Sequence, residues 1–209
     1  MKKPGLVVVI SSPSGTGKTT VCRQLIKRYR DYQFSISATT RSPRKTEKDG
    51  VDYFFMTTEE FLDLKKAGMF AETARYLEHW YGTPKAPLEK TVNQGKIVLL
   101  DIDIQGGRSI KKTMPNAVTV FLIPPSLTEL KKRLKGRHTE EPSSLQMRLK
   151  KAVTELSSWS YYDYAVVNDE LKSAVKQIHL IIEAERHKAW RLADKKYWKK
   201  STRRLLGLG

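Results

Sequence analysis

The sequence predicts an α/β protein with a parallel sheet core flanked by helices, an inserted α+β segment and a small lid. The first observation is a series of apolar runs, at residues 6–10, 96–103, 117–123 and 164–167, which alternate with helical patterns. The second is the stretch 34–95, which is aromatic, charged and richer in short strands than the rest. The third is the polar loop 136–144, which we interpret as a lid.

In the first half, each element follows from its local pattern. We predict strands at 6–10, 34–39 and 52–56, a strand-like segment at 69–81, and helices at 18–29, from Thr57 or Thr58 to Gly68, and at 84–95. The run 34–39 alternates apolar and polar residues, which is typical of a half-buried strand. Acidic residues after Thr58 and a glycine at position 68 are typical of a helix start and stop. The charged stretch 40–50 is predicted to be a loop.

In the second half, buried strands again alternate with helices. We predict strands at 96–103, 117–123 and 164–167, and helices beginning in 106–112, at 127–135 after a Ser126 cap, at 145–158, and from 171 past 189. The three runs are short and apolar, which is typical of parallel strands covered on both faces. This half therefore supplies most of the core.

Composition is that of a soluble globular protein. The chain has 209 residues, of which 39% are hydrophobic and 29% charged, enough for one domain with small inserted units. No apolar run has the ~20 residues of a membrane span. No signal peptide is predicted, and the single cysteine, Cys22, cannot form an internal disulfide. We therefore expect a cytoplasmic protein without membrane association.

The net charge of +17 is concentrated toward the C-terminus. Residues 186–204 contain nine Lys and Arg against one acid, and Trp190, Tyr197 and Trp198 lie among them. Such a basic aromatic tail is typical of binding to nucleic acid or an anionic surface. The alternative is a solvated extension of the last helix. The remaining positive charge suits polyanionic phosphate substrates.

Residues 11–20 have the pattern of a phosphate-binding P-loop between a strand and a helix. Gly15 and Gly17 allow the backbone amides to turn toward phosphate oxygens. Lys18 would reach the β- and γ-phosphates, and the Thr19 hydroxyl would ligate Mg²⁺. The predicted ATP-binding residues here are Ser12, Pro13, Ser14, Gly15, Thr16, Gly17, Lys18, Thr19 and Thr20.

Ser12 stands where the usual P-loop pattern has its first glycine, and an ordinary glycine-rich turn is the alternative interpretation. Asp101 supports the P-loop, because an acid at the end of an apolar strand is the arrangement that places a carboxylate beside the loop threonine. We therefore predict that Thr19 and Asp101 hold Mg²⁺, with Asp101 acting directly or through water.

A second phosphate site is predicted near residues 37–44. Arg41 and Arg44 flank Pro43, and guanidinium groups bind phosphate oxygens in bidentate geometry. Tyr53 and Tyr81 could each donate a hydroxyl. A merely solvated charged loop is the alternative.

These motifs, taken together, resemble the guanylate kinase family. The blocks that carry the resemblance lie at 11–20, 37–55, 70–72, 81–83, 100–106, 121–126, 134–141 and 166–169, in family order, within about residues 5–187. The segment 39–53, TTR-x-PR-x-x-E-x-x-G-x-x-Y from Thr39 to Tyr53, is distinctive of the family. The resemblance implies the reaction ATP + GMP ⇌ ADP + GDP with Mg²⁺, on GMP or dGMP.

The resemblance also implies roles for individual residues. Ser37, Glu72, Thr83 and Asp103 correspond to guanine-reading positions, and Arg41, Arg44, Glu47, Tyr53 and Tyr81 to the GMP phosphate site. Asn168 and Asp169 correspond to positions near the ATP adenine, and Lys18, Arg44, Arg137 and Arg148 to catalytic residues. The chemistry agrees, because guanine presents N1–H and N2–H₂ donors that carboxylates accept and an O6 acceptor for a hydroxyl. From spacing alone, Arg137 and Arg148 would be surface charges.

The implied organisation has four parts. The core comprises residues 1–36, 97–135 and 156–190, the GMP-binding subdomain 37–96, the lid 136–155 and the basic tail 191–209. The lid departs from the family pattern at His138 and around Pro142, which we expect to affect lid closure. The four histidines have no metal-ligand spacing.

Three other functions are weighed against a guanylate kinase. The first is a related module without catalysis that binds phosphopeptides, although such modules usually lose the P-loop residues that Lys18, Thr19 and Asp101 represent here. The second is nucleic-acid binding through the basic tail. The third is a kinase for another nucleotide or a sugar phosphate, against which Ser37 and Glu72 argue. The sequence leaves the oligomeric state open.

Overall fold

The computed structural model describes residues 4–76, 78–135, 142–192 and 207, and the side chains of 76, 142–145 and 148 are outside that description. The strands are β1 (Leu6–Ser11), β2 (Tyr32–Phe34), β3 (Ala38–Thr39), β4 (Phe54–Phe55), β5 (Phe70–Tyr76), β6 (His79–Pro84), β7 (Ile97–Asp101), β8 (Val118–Ile123) and β9 (Tyr164–Val167). The helices are α1 (Lys18–Arg28), α2 (Thr58–Lys66), α3 (Lys85–Asn93), α4 (Ile104–Thr113), α5 (Leu127–Lys135), α6 (Pro142–Leu156), α7 (Leu171–Arg186) and α8 (Ala189–Leu192), with a 3₁₀ turn at Ser157–Tyr161.

Five parallel strands form the core sheet in the order β2-β7-β1-β8-β9. Every residue of β1 is buried, because helices cover both faces of this central strand. On one face α1 and α7 pack through residues such as Leu25 and Ile178, and on the other α3 and α4 pack through Leu88 and Ile110. The predicted α/β class is confirmed.

A second, separate sheet has the order β4-β3-β6-β5, with antiparallel β5–β6 and β3–β6 pairs and a parallel β3–β4 pair. Phe61 of α2 is fully buried against it and stacks on Phe70 and Trp80. Helix α2 begins with a capping box in which Thr57 and Glu60 bond each other's backbone N–H groups. The predicted inserted α+β segment is therefore confirmed.

Two predicted strands are each divided in two. The run 34–39 is not one strand: the Ser35 N–H still donates to Leu99 O beside the core sheet, whereas Ser37 O accepts from Phe54 N–H in the second sheet. The segment 69–81 is the β5–β6 hairpin, whose second strand extends to Pro84. Its turn has no Gly, Pro, Asn or Asp signal at residues 76–79, so the alternating pattern runs through it.

The last helix is also shorter than predicted. Helix α7 ends at Arg186, and a separate short α8 follows after His187. The fully buried Arg186 guanidinium bonds Asp31 Oδ2 and the carbonyl oxygens of Pro4 and Gly95, which holds the helix end against the core. Strand β9 lies at the sheet edge, so Val166 is buried while Val167 is 43% exposed, unlike the fully buried strand we predicted.

The lid prediction falls partly outside the described residues. Residues 136–141 are among those not described, and residues 142–144, predicted as loop, begin α6. Among the described residues, no helix is long and apolar enough to cross a membrane.

Candidate active site

The glycine-rich loop joins β1 to α1 at the carboxyl edge of the core sheet. Gly15 and Gly17 have φ angles of 87° and 95°, a region that side chains with a Cβ rarely adopt. A Cβ at Gly15 would lie 2.9 Å from Leu134 Cδ2, and one at Gly17 would lie 2.9 Å from Asn168 Nδ2. Both glycines are therefore required by the backbone conformation and by the close approach of neighbours.

The loop is braced from within and from beneath. The Thr16 hydroxyl donates to Pro13 O at 2.9 Å, and the Thr16 carbonyl accepts from Asn168 Nδ2 at 2.7 Å and from an Arg133 guanidinium nitrogen at 3.3 Å. Ser12 is buried, and its hydroxyl donates to Pro13 O at 3.0 Å. These bonds hold the shape of the loop without using the Lys18 side chain or the Thr19 hydroxyl.

Lys18, Thr19 and Asp101 meet at the front of the loop. The Lys18 ammonium lies 2.5 Å from Asp101 Oδ1 and donates to Ile102 O at 2.8 Å. The Thr19 hydroxyl donates to Asp101 Oδ2 at 2.6 Å. The parallel register that pairs Ile10 with Asp101 brings this carboxylate to the same sheet edge as the loop. The predicted placement of Asp101 beside the loop threonine is thus observed.

A cleft of about 410 Å³ connects the loop with the second sheet. Residues 12–20 line one side of this cleft. The other lining residues are Ser37, Tyr53, Glu72, Ala74, Tyr81, Asp101, Ile102, Asp103, Gly106, Lys151 and Glu155. The structure therefore brings five predicted GMP-binding residues, Ser37, Tyr53, Glu72, Tyr81 and Asp103, to the cavity that contains the P-loop.

Glu72 is a buried carboxylate at the far wall of this cleft. It is 6% exposed, and the fully buried Thr83 hydroxyl donates to its Oε1 at 2.7 Å. Burial, and then the nearby negative charge of Asp103, raise the pKa of Glu72 to about 7, against the opposing hydrogen bonds from Thr83. A buried carboxylate of this kind favours a ligand that brings N–H donors.

Asp103 serves both the fold and the cleft. Its Oδ1 accepts the Gly106 N–H at 2.8 Å and so caps α4. A Cβ at Gly106 would lie 3.2 Å from Glu72 Oε2 and 3.4 Å from Asp103 Oδ1. Gly106 therefore leaves room for the two carboxylates to face the same space.

Arg41, Arg44 and Glu47 form a second polar group that does not line the cleft. One Arg41 nitrogen bonds Glu47 Oε1 and Oε2 at 3.0 and 2.9 Å, and the guanidinium lies over the Tyr53 and Phe55 rings. The Arg44 backbone N–H donates to Glu47 Oε2 at 2.8 Å, and its side chain is exposed. Burial alone would raise the pKa of Glu47, but the hydrogen bonds from the Arg44 backbone and the Arg41 side chain lower it. Arg41 is thus held in one orientation beside Tyr53.

The remaining predicted residues are placed as follows. Asn168 is buried beneath the loop, and the exposed Asp169 accepts the Glu170 N–H, so neither lines the cleft. Arg137 and the side chain of Arg148 lie outside the described residues.

Sequence reasoning missed Lys151 and Glu155, which line the cleft from α6, and Arg133, which bonds the loop carbonyl of Thr16. The spacing of Lys151 and Glu155 by four residues places them on one face of a helix. No feature of the sequence shows that this face meets the P-loop.

The cleft lining is more acidic than the chain. Among the described residues it includes four carboxylates (Glu72, Asp101, Asp103 and Glu155) and two lysines (Lys18 and Lys151). No group of three or more His, Cys, Asp or Glu among the described residues could hold a metal by itself. Mg²⁺ is usually bound through one or two carboxylates together with substrate phosphates. The adjacent oxygens of Thr19 and Asp101 fit a Mg²⁺ ion that arrives with a nucleotide.

Comparisons with known proteins agree on one family. The family model described as guanylate kinase matches residues 5–185. A guanylate kinase of Rickettsia felis is 44% identical over 91% of this chain and 99% of that protein, and one of Clostridium perfringens is 46% identical over 91% and 88%. The crystal structure of guanylate kinase from Anaplasma phagocytophilum matches with a TM-score of 0.78 and 34% identity, covering 96% of each chain. This chain therefore belongs to the guanylate kinase family.

Proposed function

We propose that the protein transfers the γ-phosphoryl group of ATP to GMP or dGMP and forms ADP and the corresponding diphosphate. The observation that carries the proposal is the cleft, which joins a P-loop that retains Lys18 and Thr19 to the buried carboxylate of Glu72. Phosphoryl transfer needs the donor and acceptor phosphates in one water-poor space. Family membership supports the choice of substrates.

Acceptor selection is assigned to the polar residues of the far wall. Guanine would place its N1–H and N2–H₂ donors against Glu72 and Asp103 and its O6 against the Ser37 hydroxyl. Thr83 orients the Glu72 carboxylate through its 2.7 Å hydrogen bond. Adenine lacks these donors and would leave a buried carboxylate unpaired, which predicts strong discrimination. The acceptor phosphate is assigned to Arg41, Arg44, Tyr53 and Tyr81, with Glu47 fixing Arg41.

Donor binding is assigned to the loop amides and the positive end of α1. Lys18 would exchange its contact with Asp101 for the β- and γ-phosphates, and Thr19 and Asp101 would hold Mg²⁺. Mg²⁺ bound there supplies charge neutralisation for the phosphates. Lys18, Arg44, Arg137 and Arg148 are the proposed cations for the transferring group, and no covalent intermediate with the protein is needed.

The proposal is tested by an assay of ADP release with ATP, Mg²⁺ and each of GMP, AMP, CMP and UMP. We expect turnover with GMP and at most a small fraction of it with the others. A folded protein that turns over none of them would favour the binding module without catalysis. Turnover with AMP at the GMP rate would move guanine recognition away from Glu72.

The division of the chain into moving units is also proposed. We assign residues 37–96 to an acceptor-binding unit and 136–155 to a lid, each able to close on the core when substrates bind. Helix α3 within the first unit packs on the core sheet through Leu88 and Val92, so the movement would occur in the part that precedes it.

A further inference from the structure

Glu155 is an acidic residue at the P-loop that neither the fold nor the proposed reaction explains. It lies near the end of α6 and lines the cleft together with Ser14, Gly15 and Lys18. A carboxylate is an unfavourable neighbour for the phosphates of a nucleotide, since like charges repel across a short distance. Its position at an anion-binding loop is therefore the observation to be explained.

The surroundings of the Glu155 carboxylate resemble those of an anion bound at the loop. Burial raises the pKa of Glu155, while Lys151 and a hydrogen bond from the Ser14 backbone N–H act in the opposite direction. The Lys151 ammonium lies 3.8 Å from Glu155 Oε1, one helical turn away. The carboxylate thus lines the same cleft as the loop that would bind the phosphate oxygens of a nucleotide.

Packing links α6 to the same loop through α5. Leu149 and Ala152 of α6 contact Leu130 and Leu134 of α5. Gly15 fits directly against this cluster, because a Cβ there would lie 2.9 Å from Leu134 Cδ2. The loop is therefore linked through α5 to the helix that carries Glu155, and Arg148 lies about two turns earlier on that helix.

We propose that Glu155 is a positioning residue that occupies the P-loop when no nucleotide is bound and is displaced by the phosphates of ATP. The displaced carboxylate keeps Lys151 as its partner, so nucleotide binding exchanges a loop-to-helix contact for one within α6. Donor occupancy is thereby coupled to the position of α6. This inference rests on the proposed function, because it takes ATP as the ligand of the loop.

The test compares the wild-type protein with Glu155→Gln and Glu155→Ala. Removal of one charge a few ångströms from the phosphates should tighten the dissociation constants of ATP and ADP by about fivefold, given partial solvent screening. The KM for GMP should be unchanged, so the effect separates donor from acceptor. Calorimetric titration with each nucleotide alone measures the affinities, and the transfer assay measures both KM values.

Glu89→Gln is the matched control, because it removes the same charge from an exposed site on α3 that does not line the cleft. We expect its ATP affinity to equal that of the wild type. A residue with a purely structural role would give weaker binding and a lower melting temperature instead. Unchanged or weaker ATP affinity in the isosteric Glu155→Gln, with wild-type transfer intact, would overturn this inference alone. Absence of transfer in the wild type would overturn the proposed function.

Discussion

The P-loop and the acceptor-binding sheet are both assigned to nucleotide binding, but they reach their geometry in different ways. The loop is set mainly by its own residues, through two glycines with positive φ and the Thr16–Pro13 bonds, and Asn168 and Arg133 add bonds to the Thr16 carbonyl from outside it. The acceptor wall is set at long range, since Glu72 and Tyr81 lie on β5 and β6 of the small sheet and Ser37 directly precedes β3. A site built mainly from one segment is therefore readable in sequence, whereas a site built from several segments depends on burial and strand pairing.

The largest effect on activity is expected when the Lys18 ammonium group is removed from the P-loop. Lys18→Ala should lower kcat by at least about 1,000-fold, because the charge that meets the phosphoryl group is lost. The melting temperature should change little, since the Lys18 side chain is partly exposed and contributes no apolar core. Steady-state kinetics and thermal unfolding measure the two effects. Lys27→Ala, at an exposed site on the same helix, is the control and should retain wild-type kcat. A wild-type rate in Lys18→Ala would exclude the proposed donor site.

The next largest effect is expected when the buried Glu72 carboxylate of the acceptor wall is replaced. Glu72→Gln should reduce kcat/KM for GMP by about 100-fold, roughly 3 kcal/mol, because an amide donor would face the guanine donors in a buried position. The ratio of GMP to AMP activity should fall with it. Glu78→Gln, at the exposed turn of the same hairpin, removes an equal charge and should leave kcat/KM for GMP and the ratio of GMP to AMP activity unchanged. Retained selectivity in Glu72→Gln would assign guanine recognition to other residues.

Particular residues show where sequence reasoning ended. The register of β1 and β7 puts Asp101 beside Thr19, as an acid at the end of an apolar strand predicts. The β5–β6 hairpin was missed because its turn lacks turn-forming residues. Glu155 was missed for another reason: helical spacing gives a face, and only packing against Leu130 and Leu134 shows what that face meets. Local backbone chemistry and the contact between Thr19 and Asp101 were thus predictable, whereas the hairpin turn and the surroundings of α6 were not.

A smaller effect is expected at the ion pair that orients the acceptor clamp. Glu47→Gln should raise the KM for GMP by about tenfold with a smaller change in kcat, because Arg41 loses the charged partner that fixes it over Tyr53. The KM for ATP should stay at the wild-type value. Asp63→Asn, which breaks the exposed pair with Lys66, is the control and should change neither constant. Equal rises in both KM values would mean that Glu47 supports the whole cleft rather than the acceptor side.

The smallest effect is a pH dependence that belongs to the acceptor wall alone. Glu72 has a pKa of about 7 in the free protein and must be ionised to accept two guanine donors, so kcat/KM for GMP should rise a few-fold from pH 6 to 8. ATP affinity, measured without GMP, should show no matching rise. The sign for stability is opposite, because a carboxyl whose pKa rises on folding, here from 4.5 to about 7, stabilises the fold less as pH increases through that interval. Glu72→Gln should remove both trends. If the kinetic trend persists in that variant, the titrating group lies elsewhere, and the pH dependence does not belong to the acceptor wall.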